Sequence, residues 1–432
     1  MIKKFTFVLL TLVVAGSVAH AIDIKRIDTN EGPEIWLVED HSNPVVSLHF
    51  AFQGGEGNDP AGKEGLANFL SGTMDEGAGS YDSEAFSKIL TDKSISLSFD
   101  AKRNNFHGKL VTLKKYQDEA AEMMKLSLTE PRFDLEAVNR IRQQILLSVE
   151  ANTRKTDRVA NSLLREALYG DHPFARESDG TIDTVKSITP EDLRAFQEQI
   201  VTKDKMIIGL SGDVTEEEAL SLYNQIFGTL PNHAALPLAE TVNIETIAET
   251  ISESRPVPQT TLILGHKGLN RNDPDYFAGY LVTHIMGGGA FGSRLYSEIR
   301  EKRGLTYGVY SYMASELNYE ILLAQMSTAN ETVDQAIEIL RSEWQRMAAE
   351  GPTEEELEKA KRYVIGSYPL NFSTTASVAR LLVDLQIYEL GIDYPTKRTA
   401  FFESVTLEQA KATAARLFRP DELTIVAVGG ER

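Results

Sequence analysis

Alternating apolar and polar positions near the start of the chain predict a half-buried strand over residues 46–52, because successive strand side chains point to opposite faces. Residues 97–113 predict a hairpin with a polar turn, and residues 262–264 and 321–323 predict further strands. Residues 332–349, in contrast, carry apolar side chains at helical spacing. Strands and helices mix without strict strand–helix–strand alternation, which favours an α+β fold with helices covering a largely antiparallel sheet.

The same succession of elements occurs twice along the chain. Residues 187–213 align without a gap with residues 404–430, each with a Ser-x-Thr cap, a helix, a polar turn and a strand ending in glycine. Upstream, residues 128–145 and 350–368 both place a proline before a long helix. The two copies are separated along the chain by far more residues than the repeat length of a solenoid. We therefore predict two homologous domains in tandem.

The first residues of the sequence have the three parts of a secretory signal. Lys3 and Lys4 precede an apolar stretch, and small residues end at Ala21, so cleavage is expected before Ile22. The apolar stretch is short for a membrane anchor. Residues 1–21 are therefore predicted to be a signal peptide, and the protein is expected to be periplasmic or secreted.

Two domains are predicted to follow the signal peptide. The N-terminal domain covers residues 22–229, and the C-terminal domain covers residues 246–432. Between them, residues 230–245 include two prolines and show little hydrophobic periodicity, which is typical of a linker.

Composition and charge exclude several classes of function. The 432 residues include no cysteine, which rules out disulfides, thiolate metal sites, a cysteine nucleophile and a cysteine-linked lipid anchor. The formal net charge of −19 disfavours binding to nucleic acid or to anionic lipid.

Few residues in the sequence are candidates for chemistry. No two of the eight histidines lie three or four positions apart, so no helical pair of metal ligands is present. The run Gly287, Gly288 and Gly289 lacks the lysine of a phosphate loop, and predicts a close-approach turn between helices. Arg300 and Tyr307 are residue types that hold a carbonyl or an oxyanion. Their spacing alone equally fits the solvated face of a short helix.

Two longer stretches carry a family resemblance. Residues 263–312 (ILGHKGLNRNDPDYFAGYLVTHIMGGGAFGSRLYSEIREKRGLTYGVYSY) closely resemble the C-terminal half of the pitrilysin/insulinase peptidases, especially the short-chain branch related to mitochondrial processing peptidase. Residues 63–86 (KEGLANFLSGTMDEGAGSYDSEAF) resemble the zinc-binding helix of that family and the loop after it. The similarity extends over nearly all of the chain beyond the signal peptide.

The chain departs from the family at the zinc helix itself. The family carries H-x-x-E-H, with two histidine ligands and a glutamate general base. The matching positions here read NFLSG, from Asn68 to Gly72, so both histidines and the base are replaced. Glu150 lies near the position of the family's third ligand, but one carboxylate does not hold a catalytic zinc. The resemblance thus implies no metal in this chain.

The resemblance also assigns roles to the C-terminal motif. In the family, an arginine and a tyrosine spaced like Arg300 and Tyr307 reach the substrate beside a zinc held by an N-terminal half. We expect Gly287, Gly288 and Gly289 of this chain to bind the substrate as well. In two-chain members one subunit keeps the zinc and the other keeps the Arg/Tyr pair. The resemblance therefore implies a non-zinc subunit of a heterodimeric zinc peptidase, with zinc and H-x-x-E-H in the partner and an unfolded peptide as substrate. A catalytically inactive peptide-binding or scaffolding homologue is the alternative.

Overall fold

The computed structural model describes residues 22–30, 32–244, 247–289 and 292–430. The predicted signal peptide lies outside these residues. The described chain forms two halves, each built on one mixed sheet covered by helices, which confirms the prediction of an α+β fold with two related domains. In the part of the chain that the structure describes, no helix has the length and apolar content that a membrane crossing requires.

The first half contains a six-stranded sheet in the order β1-β2-β6-β3-β5-β4. Its strands are β1 (Lys25–Ile27), β2 (Ile35–Glu39), β3 (Val45–Gln53), β4 (Ser96–Ala101), β5 (Asn105–Leu113) and β6 (Ile207–Gly212). The pair β2–β6 is parallel, and the other neighbours are antiparallel. The predicted hairpin is therefore β4–β5, and β4 forms one edge of the sheet.

The second half repeats this arrangement in a five-stranded sheet of order β7-β11-β8-β10-β9. Its strands are β7 (Thr250–Ser254), β8 (Gln259–Lys267), β9 (Val309–Ser315), β10 (Glu320–Ala329) and β11 (Thr424–Gly429). The parallel pair β7–β11 corresponds to β2–β6, and the edge strand β9 corresponds to β4. The repeat detected in the sequence is thus a repeat of topology.

Helices cover both sheets. The first half contains α1 (Leu66–Ser71), α2 (Ser83–Asp92), α3 (Gln117–Thr129), α4 (Leu135–Asn152), α5 (Thr156–Tyr169), α6 (Ile182–Ser187), α7 (Pro190–Ile200) and α8 (Glu216–Phe227). The second half contains α9 (Tyr276–Thr283), α10 (Val333–Glu350), α11 (Glu354–Ser367), α12 (Thr375–Ile387), α13 (Tyr394–Glu403) and α14 (Leu407–Leu417). The two aligned segments of the sequence form α7–β6 and α14–β11, and each helix begins after a threonine whose side chain caps it.

The two halves exchange one helix each. Helix α5 of the first half packs on β8 and β11, and α12 of the second half packs on β3 and β6. Equivalent hydrogen bonds join each helix start to the other half's sheet: Thr156 with Thr261 (2.7 Å) and Thr375 with Ser47 (2.8 Å). This exchange holds the two halves together across both sheets.

Helix α12 changes the environment expected for β3. The alternating pattern predicted one buried and one exposed face, and Leu48 and Phe50 are indeed buried. Ser47 and Ala51 on the opposite face are also buried, at 1% and 0% exposure, because α12 covers that face. The prediction of a half-buried strand was therefore wrong for this part of β3, since the cover comes from residues more than 300 positions away.

Residues 231–244, which fall within the predicted linker, contain no helix or strand. They nevertheless lie close to the first half, because Gln53 and Asn58 donate side-chain hydrogen bonds to the carbonyl groups of Leu236 and Pro237. Residues 230–245 remain our proposed boundary segment between the domains.

Candidate functional site

Helix α1 occupies the position of the family's zinc helix. Its start is fixed by Asp59, whose carboxylate accepts hydrogen bonds from the backbone N–H groups of Gly65 (2.7 Å) and Ala67 (2.9 Å). Burial raises the pKa of Asp59 to about 7. Phe69 and Leu70 are fully buried, and the helix packs beside the edge strand β4. The local fold of a zinc helix is therefore present.

The side chains on α1 do not supply zinc ligands. Asn68 is half-buried, and Ser71, in place of the glutamate base, donates its hydroxyl hydrogen to the carbonyl oxygen of Asn68 at 2.8 Å. Gly72 has no side chain, and a Cβ there would lie 3.3 Å from Cγ2 of Ile141 on α4. At the two positions where the family has histidine ligands, this chain thus has the amide of Asn68 and, at Gly72, no side chain.

Glu150 does not complete a metal site either. It is exposed near the end of α4, with a carboxylate oxygen 2.5 Å from the guanidinium of Arg154. Ile141 is the residue of α4 that lies against Gly72. Glu150 lies nine residues beyond it, or about 13 Å along the helix. Across the described ranges, no cluster of three or more His, Asp or Glu side chains has the arrangement to hold a metal ion. The donors at these positions do not fit the family's zinc.

The C-terminal motif begins on a firmly anchored π-helical turn, Tyr296–Glu301. Just before it, Arg294 is buried and pairs with both carboxylate oxygens of Glu356 at 2.7 Å. The same arginine donates to the carbonyl of Gly351 at 2.8 Å, and Glu356 also caps the start of α11. A paired arginine with planar, bidentate geometry fixes orientation as well as position. The turn that carries Arg300 is therefore held to α11.

Arg300 points away from this anchor and is exposed. Its guanidinium lies over the ring of Tyr296, 5.3 Å from the centroid. The nearby carboxylate of Glu298 is taken by Lys302 at 2.6 Å and by Arg303 at 2.8 Å. Among the described residues Arg300 forms no ion pair, so its donors are available to a ligand.

Tyr307 lies on the turn before the edge strand β9 and is 91% exposed. The turn itself is fixed, because the hydroxyl of Thr306 bonds both the carbonyl oxygen (2.9 Å) and the N–H (3.2 Å) of Gly308. In addition, Thr328 donates to the carbonyl of Leu305 at 2.7 Å. A large aromatic side chain is thus presented to solvent from a rigid turn.

The three glycines lie behind β9. His284–Gly288 is a second π-helical turn. Gly287 is needed for close approach, because a Cβ there would lie 2.5 Å from the backbone nitrogen of Ser311 on β9. Gly288 and Gly289 face the ring of His284. The segment is therefore packed against the strand that begins just beyond Tyr307, while its contribution to substrate binding remains a prediction.

The degenerate zinc helix and the Arg/Tyr segment occupy comparable places in the two halves. Helix α1 borders β4, the edge of the first sheet, and the Arg300–Tyr307 segment borders β9, the edge of the second. A chain with both functions would present a metal at one edge and donors at the other. In this chain the second edge carries Arg300 and Tyr307, and α1 at the first edge carries no H-x-x-E-H.

Some residues of interest escaped the sequence analysis. Arg294 looked like one charge in a charged run, and its buried partner Glu356 is 62 positions away. His49 and His107 were treated as unrelated histidines, yet they meet across β3 and β5, with Nε2 and Nδ1 3.2 Å apart. A hint was present in the polar positions of alternate residues on both strands, which share one face.

Comparison with known proteins identifies the class. The family model described as insulinase (peptidase family M16) matches residues 34–181, and the model described as the peptidase M16 inactive domain matches residues 187–364. The chain belongs to the insulinase (M16) peptidase family, which confirms the resemblance seen in the sequence.

Relatives of known name extend over most of the chain. The non-peptidase homolog YmxG of Helicobacter pylori is 27% identical over 90% of this chain and 89% of its own length. A zinc protease, also named YmxG, of Bacillus subtilis is 23% identical over 82% of this chain and 86% of its own. The crystal structure of a peptidase M16 inactive domain from Pseudomonas fluorescens is 28% identical, with a TM-score of 0.90, and covers 95% of this chain and 98% of that one. This chain is therefore a peptidase-like member of the family in which the positions of H-x-x-E-H read NFLSG.

Proposed function

We propose that this chain is the non-zinc subunit of a heterodimeric, exported zinc peptidase and that it supplies Arg300 and Tyr307 to the partner's active site. The observation that carries the proposal is the placement of Tyr307, 91% exposed on an anchored turn. Tyr310 and Tyr312 on the strand that follows are exposed as well, and a group of exposed aromatic side chains is typical of an interaction site.

The chemistry of the two side chains suits peptide hydrolysis. The Arg300 guanidinium donates hydrogen bonds to a peptide carbonyl, and the Tyr307 hydroxyl donates to the same oxygen as it takes up negative charge. The partner, a homologous subunit with H-x-x-E-H, holds the zinc and the general base. This chain itself binds no cofactor in the proposal.

The edge strands provide a way to hold an unfolded substrate. Strand β9 has a free edge next to Tyr307, and it carries two more exposed tyrosines, Tyr310 and Tyr312. An extended peptide pairs with such an edge through its backbone, almost independently of its sequence. The packed turn at Gly287–Gly289 supports this strand from behind and is our proposed second substrate contact.

Variants of the assembled pair test the catalytic role. Arg300→Ala and Tyr307→Phe should each lower kcat of the two-chain enzyme by roughly 10²–10³-fold, the scale of one lost oxyanion donor. Assembly, followed by size-exclusion chromatography, should not change, because both side chains are exposed. Arg303→Ala is the matched control, since it removes a charge three residues away that is already paired with Glu298. A loss in the control equal to that in Arg300→Ala would contradict a specific role.

Export and partnership complete the proposal. The predicted signal peptide supports a periplasmic or secreted location, and detection of the mature protein starting at Ile22 in the exported fraction would test it. The alternative is a catalytically inactive peptide-binding or scaffolding homologue. It predicts that a two-chain enzyme with either the Arg300 or the Tyr307 variant keeps its full turnover.

A further inference from the structure

A cavity of about 810 Å³ is lined by residues of both halves, and neither Arg300 nor Tyr307 is among them. Helix α12 covers only part of one face of the first sheet, and the uncovered part of that same face, on β3, β5 and β4, forms the floor of the cavity. Its walls are α12 and the turn between β9 and β10. Cavities of this size at domain interfaces are where proteins bind small ligands. Most of its lining residues are of charged or polar type, which indicates the chemistry of an occupant.

One end of the cavity is positively charged. Lys109 on β5 lies directly across from His49 on β3, and Arg380 of α12 lines the same cavity close enough to act on His49. In the described part of the chain Lys109 forms no ion pair, and Arg380 has only a 3.5 Å contact with Asp384. This end therefore has cationic donors with capacity to bind a carboxylate.

The other end carries an acidic side chain. Glu316, on the turn between β9 and β10, is half-buried and accepts a hydrogen bond from the hydroxyl of Tyr388 at 2.8 Å. None of the described cations pairs with it. The basic side chains nearby are already neutralised, since Lys102 pairs with Asp100 at 2.6 Å and Arg103 with Glu56 at 3.4 Å. Glu316 is thus free to bind an ammonium group.

The cavity also contains neutral groups beside its positively charged end. His49 and His107 bond each other at 3.2 Å. Burial lowers the pKa of His49 to about 3 and that of His107 to about 4. Both rings are neutral near pH 7, and they offer hydrogen bonds of the kind that peptide groups make. Asp384 is the remaining acid there, and burial raises its pKa.

The distance between the ends selects the length of the ligand. Arg380 and Tyr388 mark the two ends on α12 and are eight residues apart, which is about 12 Å along a helix. An extended chain covers about 3.3–3.6 Å per residue. A ligand with an ammonium group at one end and a carboxylate at the other reaches both only if it is about three or four residues long.

We propose that this cavity binds a short peptide of three to four residues with free termini, with its ammonium group at Glu316 and its carboxylate at Lys109 and Arg380. The site does not require the zinc-bearing partner, so it stands or falls separately from the proposed function. A protein of this family that holds such peptides retains the end products of proteolysis.

Isothermal titration calorimetry with alanine peptides tests the proposal directly. Tri- and tetra-alanine with free termini should bind, whereas the N-acetylated and C-amidated forms should each bind about 10–100-fold more weakly, the range expected for one hydrogen bond to a charged group. Single alanine should also bind more weakly, because its two charges are too close together. Equal affinity for free and capped peptides, or no binding of the free ones, would overturn the proposal.

Two variants assign each terminus to its end of the cavity. In the double variant Lys109→Gln/Arg380→Gln the free peptide should lose affinity, and amidation should then cost nothing further. In Glu316→Gln, which keeps an acceptor for Tyr388, acetylation should cost nothing further. Lys115→Gln, an exposed lysine outside the cavity, is the control and should bind like the wild type. Persistence of both capping effects in both variants would refute the assignment. Binding that requires added zinc would overturn the peptide site in favour of a metal at the histidine pair.

Discussion

Acid should destabilise this protein through its buried neutral histidines, and His266 is the best-defined case. This side chain is 2% exposed. Its Nε2 lies 2.9 Å from the indole nitrogen of Trp344, and its Nδ1 lies 2.8 Å from the carbonyl oxygen of Lys267. Because an indole nitrogen can only donate, Nε2 accepts and the proton resides on Nδ1. The folded site thus holds the neutral ring.

The size of the effect follows from the pKa of this ring in the folded and unfolded states. Burial, the largest influence, lowers the pKa of His266 to about 4 from the ordinary value of 6.5. The unfolded chain takes up a proton near pH 6.5, and the folded chain does so only near pH 4. The stability that the neutral ring contributes is therefore full above pH 6.5 and is lost as the pH falls towards 4. At 1.36 kcal/mol per pKa unit, the loss is about 3 kcal/mol.

Urea unfolding at about pH 7.5 and about pH 4.5 measures this loss. His266→Gln keeps an acceptor for Trp344 and removes the titrating ring. The variant should be less stable at the higher pH, yet its free energy of unfolding should fall less on acidification. His41→Gln is the control, because Asp213 raises the pKa of the exposed His41. The stability that His41 contributes is therefore lost as the pH rises, which is the opposite pH dependence. The reasoning is refuted if His266→Gln loses as much stability between the two pH values as the wild type.

Four further predictions concern stability. Gly108→Ala should lower the free energy of unfolding by about 1–3 kcal/mol, because its Cβ would lie 2.0 Å from a buried phenylalanine ring. Gly366→Ala, on an exposed helical position with open space, should raise the free energy of unfolding by up to about 1 kcal/mol. Urea titrations in which the two glycine variants change stability in the same direction would contradict the packing argument. Arg294→Ala should cost about 1–3 kcal/mol by removing the hydrogen bonds of the buried guanidinium to Glu356 and Gly351, and an unchanged melting temperature would show that the pair does not anchor the motif. Tyr307→Phe should change the free energy of unfolding by less than about 0.5 kcal/mol, and a larger thermal shift would indicate a structural role.

The sequence predicted the parts of the fold that depend on local pattern. The two aligned segments became α7–β6 and α14–β11 because their caps, helical periodicity and strands all lie within 27 residues of each other in each copy. The family resemblance placed a helix at residues 68–72, and α1 (Leu66–Ser71) lies there, with Ser71 at the position of the glutamate base. Local signals were sufficient for these features.

The sequence did not predict what depends on distant contacts. No local pattern indicates that α12 covers the polar face of β3, since the contact between Ser47 and Thr375 joins residues 328 positions apart. The cavity was missed for the same reason. Lys109 and Glu316 belong to different halves, and they line one cavity only because the two halves pack together. Arg300 and Tyr307 were selected by family resemblance. Their exposure and the rigidity of their turns required coordinates.

The most direct test of the central claim is to purify the tagged protein from its own source and measure what copurifies, the zinc content and the peptidase activity. The account predicts a homologous H-x-x-E-H subunit in equal amount, one zinc per pair, and hydrolysis of unfolded peptides by the pair but not by this chain alone. A zinc-free protein without such a partner, or a chain that cleaves peptides by itself, would contradict it.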